Sequence, residues 1–209
     1  MLRRLPIIGV FGQGTPIAPA RAELAREVGA MLARLGAHLL TGGGYGVMEA
    51  VAQGFVSVRE RAGFSIGIVP RRSRGAFDEP NRDREGRAYP NDFVEIPVMT
   101  PLPPREKDWR NRPARNHINV FTPDAVVALP GRVGTRNELD VTAAYRDQAA
   151  HGPEERRVVL VGPSGEFTPE HRRRFVHVTT VAAAATHLVR VLSAQGFRMP
   201  SEVIGERVV

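Results

Sequence analysis

Cysteine is absent from the 209-residue chain. Its absence excludes disulfides, thiolate metal sites and cysteine nucleophiles, and it makes the cytoplasm the expected location. The chain also lacks any hydrophobic run close to the roughly 20 residues that a membrane-spanning helix needs. The apolar stretch near the N-terminus is short, ends at a glycine and lacks a cleavage site, so we interpret it as a first strand rather than a signal peptide.

Lysine is almost absent as well, because Lys107 is the only one and every other cationic side chain is an arginine. This excludes a P-loop lysine at the glycine turns and argues against a Schiff base with pyridoxal phosphate. The six histidines have neither HxxxH nor HExxH spacing, which predicts no metal site. Although the net charge is +7, the arginines are interspersed with acidic residues, so we expect a small phosphorylated ligand rather than nucleic acid.

Short apolar runs alternate with helical stripes along most of the chain. The pattern predicts strands at 6–11, 37–41, 64–69, 124–129, 158–161 and 175–179, and helices at 18–35, 46–60, 105–121, 135–149 and 180–194. Such alternation is typical of right-handed crossovers between parallel strands. We therefore predict an α/β fold: a single Rossmann-like doubly wound parallel sheet, flanked by helices on both faces, in one nucleotide-binding domain over residues 1–209.

Two segments depart from this alternation. Residues 71–104 are rich in arginine, proline and aspartate, and so long a connection is typical of a functional or disordered insertion. The run FVEIPV inside it is a candidate short strand, and Tyr89 and Trp109, in or beside it, are candidates for stacking on a flat ring or for ordinary packing. From about residue 200 a short tail carries no strong signal.

Glycine-rich turns follow three predicted strands: GQGT at 12–15, TGGGYG at 41–46 and PGRVGT at 130–135. Open parallel sheets bind ligands beyond the carboxyl ends of their strands, and a glycine followed by a helix start exposes amide N–H groups to an anion. Neither GxxxxGK[ST] nor a GxGxxG after the first strand is present. We predict that phosphate or nucleotide is bound by Gly12, Gly14, Thr41, Gly42, Gly43, Gly44, Gly46, Pro130, Gly131, Arg132, Gly134 and Thr135.

Glu138 has two interpretations. Thr135 and Glu138 have the spacing of a capping box, in which threonine begins a helix and the glutamate side chain reaches back to the N–H of the cap. The alternative is a carboxylate that acts on a substrate. The local pattern favours the cap and leaves the catalytic role open.

The segments TGGGYGVMEAVAQGF at 41–55 and ALPGRVGTRNEL at 128–139 resemble the LOG family, whose best-known members are cytokinin riboside 5′-monophosphate phosphoribohydrolases with the signature PGGxGTxxE. GGGYGVMEA, AYPNDFVEIPV and RNHINVFTPDAVVALPG are more similar to a related branch that includes molybdenum cofactor carrier proteins. The resemblance covers roughly residues 7–195. It implies a homodimer or higher homo-oligomer.

The resemblance also assigns roles to residues. It places a catalytic arginine nine residues before Asp124, at Arg115, and the catalytic glutamate at Glu138. The implied reaction is hydrolysis of the N-glycosidic bond of a nucleoside 5′-monophosphate to free base and ribose 5-phosphate. Glu138 then stabilises the cation that forms on the ribose and orients the attacking water, and Arg115 holds the phosphate or the departing base. No cofactor is required. His117, two residues beyond Arg115, is a weaker candidate that a backbone contact would account for equally well.

Arg132 is a departure from the family signature, because it occupies the position of the second glycine of PGG. Its side chain either blocks the approach of phosphate to the main chain or adds a guanidinium to the anion site. This departure keeps a second function open, that of a non-catalytic carrier of molybdenum cofactor or a related phosphorylated ligand. Single-stranded DNA binding is a third interpretation, which the lack of a basic stripe disfavours.

Overall fold

The computed structural model of the protein describes residues 4–70, 81–83, 85–104, 106–108, 110–145 and 157–200. Its strands form one sheet in the order β4-β3-β2-β1-β5-β6-β7, and every neighbouring pair is parallel. The bounds are β1 Ile7–Phe11, β2 His38–Thr41, β3 Ser65–Pro70, β4 Ile96–Thr100, β5 Ala125–Ala128, β6 Val158–Val161 and β7 Val176–Val178. This arrangement confirms the predicted parallel α/β fold.

Helices cover both faces of this sheet. They are α1 Pro19–Arg34, α2 Val47–Val56, α3 Arg115–Phe121, α4 Val133–Tyr145, α5 Pro169–Arg174 and α6 Val181–Ala194, with a 3-10 turn at Ser164–Glu166. Successive side chains of a central strand pack into two different hydrophobic clusters, one on each face of the sheet, because they point in opposite directions. In β5, Val127 packs with α1, α2 and α6, whereas Val126 and Ala128 pack in the cluster that contains residues of α3 and α4.

The strand order reverses between β1 and β5. From β1 the chain moves outward through β2, β3 and β4, and it then returns to β5 on the other side of β1. Because Phe11 pairs with Ala128, these two strands end side by side, and the loops that leave them diverge from the same edge. Such a switch point is where open α/β sheets bind ligands.

Several predicted elements differ from those observed. The helix predicted for 105–121 begins only at Arg115, because Pro113 interrupts helical bonding and its ring disfavours helical geometry in the residue before it. Helix α2 ends at Val56 rather than near residue 60, and the guanidinium of Arg61 donates to the carbonyls of Val56 and Val58. Helix α5 was not predicted, because six residues are too few to show a period, although Thr168 caps it by accepting the N–H of His171 at 3.1 Å.

The insertion contributes to the sheet. Its strand β4 pairs with β3, from Ile66 opposite Ile96 to Pro70 opposite Thr100. Trp109, residues 71–80 and the tail beyond residue 200 lie outside the described residues. Among the helices that the structure describes, none has both the length and the apolar composition required to cross a bilayer.

Candidate functional site

A cavity of about 990 Å³ opens at the switch point. Its walls come from the loops after β1 and β2, from residues between 82 and 104, and from the first turns of α3 and α4. It brings together Arg115, Glu138 and six of the residues predicted to bind phosphate, namely Gly12, Gly14, Gly44, Arg132, Gly134 and Thr135.

Glu138 lies on the buried side of α4 and lines this cavity. The capping-box interpretation was wrong, because the helix begins before Thr135: the carbonyl of Arg132 already accepts the N–H of Arg136 at 3.0 Å. Thr135 is therefore inside the first turn, where its own N–H is one of the free donors. The Glu138 carboxylate instead accepts a hydrogen bond from the Nδ2 of Asn119 on α3 at 2.9 Å.

The surroundings of Glu138 disfavour its ionised form. Burial raises the pKa of its carboxyl above the ordinary glutamate value, while the charge of Arg115 and the hydrogen bond from Asn119 act in the opposite direction. A carboxyl with a raised pKa loses its proton at a higher pH than an exposed glutamate does. That property suits a group that takes part in proton transfer or charge stabilisation.

Arg115 begins α3 and is only 8% exposed. Its guanidinium packs on the backbone of Gly42, where a Cβ would lie 1.6 Å from Nη1. Among the described residues, neither Nε nor Nη1 finds a hydrogen-bond partner, although both are buried. Buried arginine donors are costly to leave unpaired, so the guanidinium of Arg115 is a candidate group for binding acceptor oxygens of a ligand.

Thr135 supplies a second unpartnered group on the same wall. Its Oγ1 is buried, has no partner among the described residues and occupies the space that a side chain at Gly131 would need, 2.0 Å from the would-be Cβ. The amide N–H groups of Val133, Gly134 and Thr135 are in the first turn of α4 and have no partner within the helix. A Cβ at Gly134 would meet nothing within 4 Å, so a ligand can approach the main chain there.

The remaining predicted residues do not line the cavity; they form the structure behind its wall. These are Thr41, Gly42, Gly43, Gly46, Pro130 and Gly131. Thr41 accepts the N–H of Gly43 at 3.1 Å, and Gly43 adopts a φ of +70°. Gly46, with a φ of +68°, precedes α2 as its N-cap and lies so close to the first glycine turn that a Cβ would be 2.5 Å from the carbonyl of Gln13.

The wall formed by the insertion was not predicted, apart from Tyr89. Asn91 donates to the carbonyls of Gly43 at 3.2 Å and Gly44 at 2.6 Å, and the hydroxyl of Tyr89 donates to the carbonyl of Gly42. Residues 88–91 are thereby fixed to the turn after β2, and Tyr89 lines the cavity. The polar turn YPND at 89–92 is the part of the sequence that could have indicated this wall. The carbonyls that it contacts are more than 40 residues earlier in the chain, so the local pattern did not reveal the contact.

Asn116 and Asn119 were not named among the candidate site residues from the sequence either. Asn116 lines the cavity and donates to Asn137 at 2.9 Å, so two asparagines link α3 to α4. His117, in contrast, does not line the cavity: its Nδ1 accepts the N–H of Ala114 at 3.0 Å and caps α3. In the part of the chain that the structure describes, no group of three acidic or histidine side chains is placed to hold a metal ion.

Comparison with known proteins gives a family match over most of the chain. Residues 5–187 match the SLOG cluster4 family. Over 163 residues the chain is 30% identical to a cytokinin riboside 5′-monophosphate phosphoribohydrolase from Mycobacterium tuberculosis, a match that spans 77% of this chain and 72% of the relative. The molybdenum cofactor carrier protein of Chlamydomonas reinhardtii superposes with a TM-score of 0.62 at 26% identity, over 91% of this chain and 99% of the carrier.

A more distant likeness concerns DNA processing protein A from Helicobacter pylori, a protein that binds single-stranded DNA. It superposes with a TM-score of 0.57 at 10% identity, over 92% of this chain and 82% of the other. At that identity the likeness shows the shared fold alone.

Proposed function

The chain belongs to the SLOG cluster4 family, and from its cavity we propose that it hydrolyses the N-glycosidic bond of a nucleoside 5′-monophosphate, releasing the free base and ribose 5-phosphate. The observation that carries this proposal is one wall on which a buried carboxylate, Glu138, lies beside a buried guanidinium whose Nε and Nη1 have no partner among the described residues. The relative from Mycobacterium tuberculosis, named for such a reaction, supports the substrate class.

The phosphate is proposed to bind at the first turn of α4. Free amide N–H groups, the positive end of the helix dipole and the unpartnered hydroxyl of Thr135 all favour an anion there. Arg132, whose carbonyl accepts the first helical hydrogen bond, is exposed at the same edge and adds a positive charge. In this arrangement the arginine that replaces a glycine of the family signature contributes to the anion site.

The ribose then lies beside Glu138. As the bond between C1′ and the base nitrogen breaks, positive charge develops on the sugar, and a buried carboxylate stabilises that charge. Water forms the new C1′–O bond and gives up one proton, which Glu138 is placed to accept, while the leaving nitrogen gains a proton. Arg115 donates to the phosphate or to the departing base through its planar fork. No cofactor enters this reaction.

Incubation with AMP and the other common nucleoside 5′-monophosphates tests this function. Chromatography should detect free base, and Glu138→Gln should abolish its release while the circular dichroism spectrum and the melting temperature show an intact fold. Release of base by the Gln variant at the wild-type rate would refute the role of Glu138. Absence of release from every nucleotide would refute the hydrolase.

A non-catalytic carrier of molybdenum cofactor or a related phosphorylated ligand is the second candidate. The likeness to the carrier of Chlamydomonas reinhardtii favours it, and so does a cavity of about 990 Å³, at the upper end of the range for small-molecule sites. The residues present fit such a ligand, since the donors of Arg115 and Thr135 suit a phosphate in either case. Tight binding of the isolated cofactor, together with no release of base from any nucleotide, would select the carrier.

Association into a homodimer is also part of the proposal, as is the organisation of residues 1–209 into one domain in the cytoplasm. Among the described strands β4 is at the edge of the sheet, and Ile96, Val98 and Met99 on it are each at least 40% exposed. Apolar side chains on an edge strand favour a protein partner. Sedimentation equilibrium of the wild type and of Met99→Glu tests the association, which the charged variant should weaken.

A further inference from the structure

Asn119 is buried between α3 and α4, outside the cavity lining, and makes the one hydrogen bond to the Glu138 carboxylate from the described residues. Its Nδ2 donates to Oε1 at 2.9 Å. The second carboxylate oxygen, Oε2, accepts no hydrogen bond from these residues, and Glu138 lines the cavity. Asn119 itself is 2% exposed, so the amide that holds Oε1 does not compete with a ligand for the same space.

The side-chain oxygen of Asn119 bears on which way its amide is oriented against Glu138. Its Oδ1 is buried and unpartnered among the described residues, which is unfavourable for a polar atom. The reversed amide would place Oδ1 against an ionised carboxylate oxygen, and two acceptors would then repel. If Glu138 is protonated, the same reversal lets Oδ1 accept the carboxyl proton. With Nδ2 assigned towards Oε1, the side chain of Asn119 donates to Glu138, an arrangement that stabilises the carboxylate more than the neutral acid.

We propose that Asn119 is a positioning residue that keeps Glu138 ionised and directs its free oxygen, Oε2, towards the cavity. In the reaction proposed above, on which this part of the inference rests, Oε2 is then the atom that faces C1′ and the attacking water. Burial alone would favour the neutral acid, whereas the amide of Asn119 donates to Oε1, and such a hydrogen bond is stronger when the carboxyl is ionised than when it is neutral.

Other charges near Glu138 are limited. Arg115, one turn before Asn119 on α3, is the group whose charge acts on Glu138 from the facing helix. Around the cavity are Arg132 at the start of α4, and Arg82, Asp83 and Glu85 on the insertion. Asp83 pairs with Arg87 at 2.7 Å, and Glu85 lies 3.4 Å from the same guanidinium. A change at Asn119 therefore removes a hydrogen bond from Glu138 without removing a charge.

The test compares two asparagines on one helix. Asn119→Leu keeps a similar branched shape but removes the donor, and Asn116→Leu is the matched control, because Asn116 is also buried and also bonds α3 to α4, through Asn137 rather than Glu138. Carboxyl carbon NMR spectra, with the Glu138 signal assigned by its loss in Glu138→Gln, give the titration midpoint directly. The midpoint should move to higher pH in Asn119→Leu and stay in place in Asn116→Leu.

Kinetics provide the second readout. With a nucleotide that the wild type hydrolyses, Asn119→Leu should lower kcat by roughly 10- to 100-fold, since a hydrogen bond to a charged group is lost, and should change KM little. The acidic limb of the pH–rate profile should shift upward with the NMR midpoint. If leucine is not accommodated, Asn119→Val removes the same donor with a smaller side chain.

The outcomes separate this inference from the proposed function. An unchanged midpoint in Asn119→Leu, or an equal shift in both asparagine variants, overturns the inference even if the wild type hydrolyses nucleotides. An upward shift confined to the Asn119 variant supports the coupling to Glu138 even if no nucleotide is cleaved. In that case the hydrolase fails while the positioning contact stands.

Discussion

Replacing Gly42 with alanine tests whether this glycine is present to accommodate Arg115. A Cβ at Gly42 would lie 1.6 Å from Nη1, 2.7 Å from Cζ and 3.1 Å from Nη2 of Arg115. Ordinary contacts of a carbon atom are about 3.5 Å or longer, so the guanidinium must move by about 2 Å. The backbone of Gly42 does not have a positive φ, so alanine is compatible with its conformation.

The expected loss follows from this displacement. A guanidinium moved by that distance no longer reaches an acceptor in the cavity, and each hydrogen bond to a charged group contributes about 1.5–3 kcal/mol. Loss of one such bond lowers affinity by about 10- to 150-fold. The fold should survive, because the methyl group meets the far end of a flexible side chain rather than the backbone.

Calorimetric titration with ribose 5-phosphate measures this loss for Gly42→Ala, Arg115→Ala and the double variant. If Gly42 acts through Arg115, the double variant binds no more weakly than Arg115→Ala, because a guanidinium that is absent cannot be displaced. Additive losses, or wild-type affinity in Gly42→Ala beside weakened binding in Arg115→Ala, would refute the reasoning. Melting temperatures close to that of the wild type serve as the control for folding.

Three further substitutions probe the anion wall and the carboxylate. At a pH above the folded-state pKa of Glu138, Glu138→Gln should stabilise the protein by about 1.4 kcal/mol for each unit by which burial raises that pKa. The gain should vanish below the ordinary glutamate pKa, where both side chains are neutral. Urea unfolding across pH checks the sign, and a variant less stable than the wild type at alkaline pH contradicts it. Thr135→Val should raise the free energy of unfolding by about 1 kcal/mol, because it removes a buried unpartnered hydroxyl, while phosphate binding weakens; a less stable variant would show that the hydroxyl has a partner. Arg132→Gly should weaken phosphate binding by about threefold and reduce its salt dependence, whereas tighter binding would show that Arg132 blocks the site.

The parallel sheet was predictable because most of its strands are short apolar runs and four of its helices, α1, α2, α4 and α6, are long enough to show a period. The rule for switch points predicted only that a ligand binds beyond the carboxyl ends of the strands. The pairing of Phe11 with Ala128, which makes β1 and β5 neighbours, was not predicted, because strand order is not encoded in the alternation of elements. Helices α3 and α5 were poorly predicted, because seven and six residues do not display a helical stripe. In α3, Pro113 was expected either to kink or to delay a helix over 105–121, and the structure shows the delay, with the helix beginning at Arg115.

Glu138 shows the limit of local pattern recognition. The spacing of Thr135 and Glu138 satisfies a capping box, yet the helix begins at Val133 and the glutamate turns inward to Asn119. In the packing of α3 against α4, the amide of Asn119 bonds the Glu138 carboxylate and the charge of Arg115 acts on it. The resemblance to a family predicts a functional role for Glu138, whereas its partner Asn119 has no signal apart from its place on the packed side of α3.

The glycine turns were located correctly, but their physical role differs from the one predicted. The space left by missing side chains at Gly12, Gly42 and Gly131 is filled by the protein's own residues, Val47, Arg115 and Thr135 respectively. Of these turns, Gly134 is the position where the space is open to a ligand. The phosphate site proposed at the first turn of α4 is one that a hydrolase and a carrier need equally. What separates the two functions is the contact between α3 and α4, where Arg115, Asn119 and Glu138 meet, and measurements on those three residues are the ones that decide between turnover and binding.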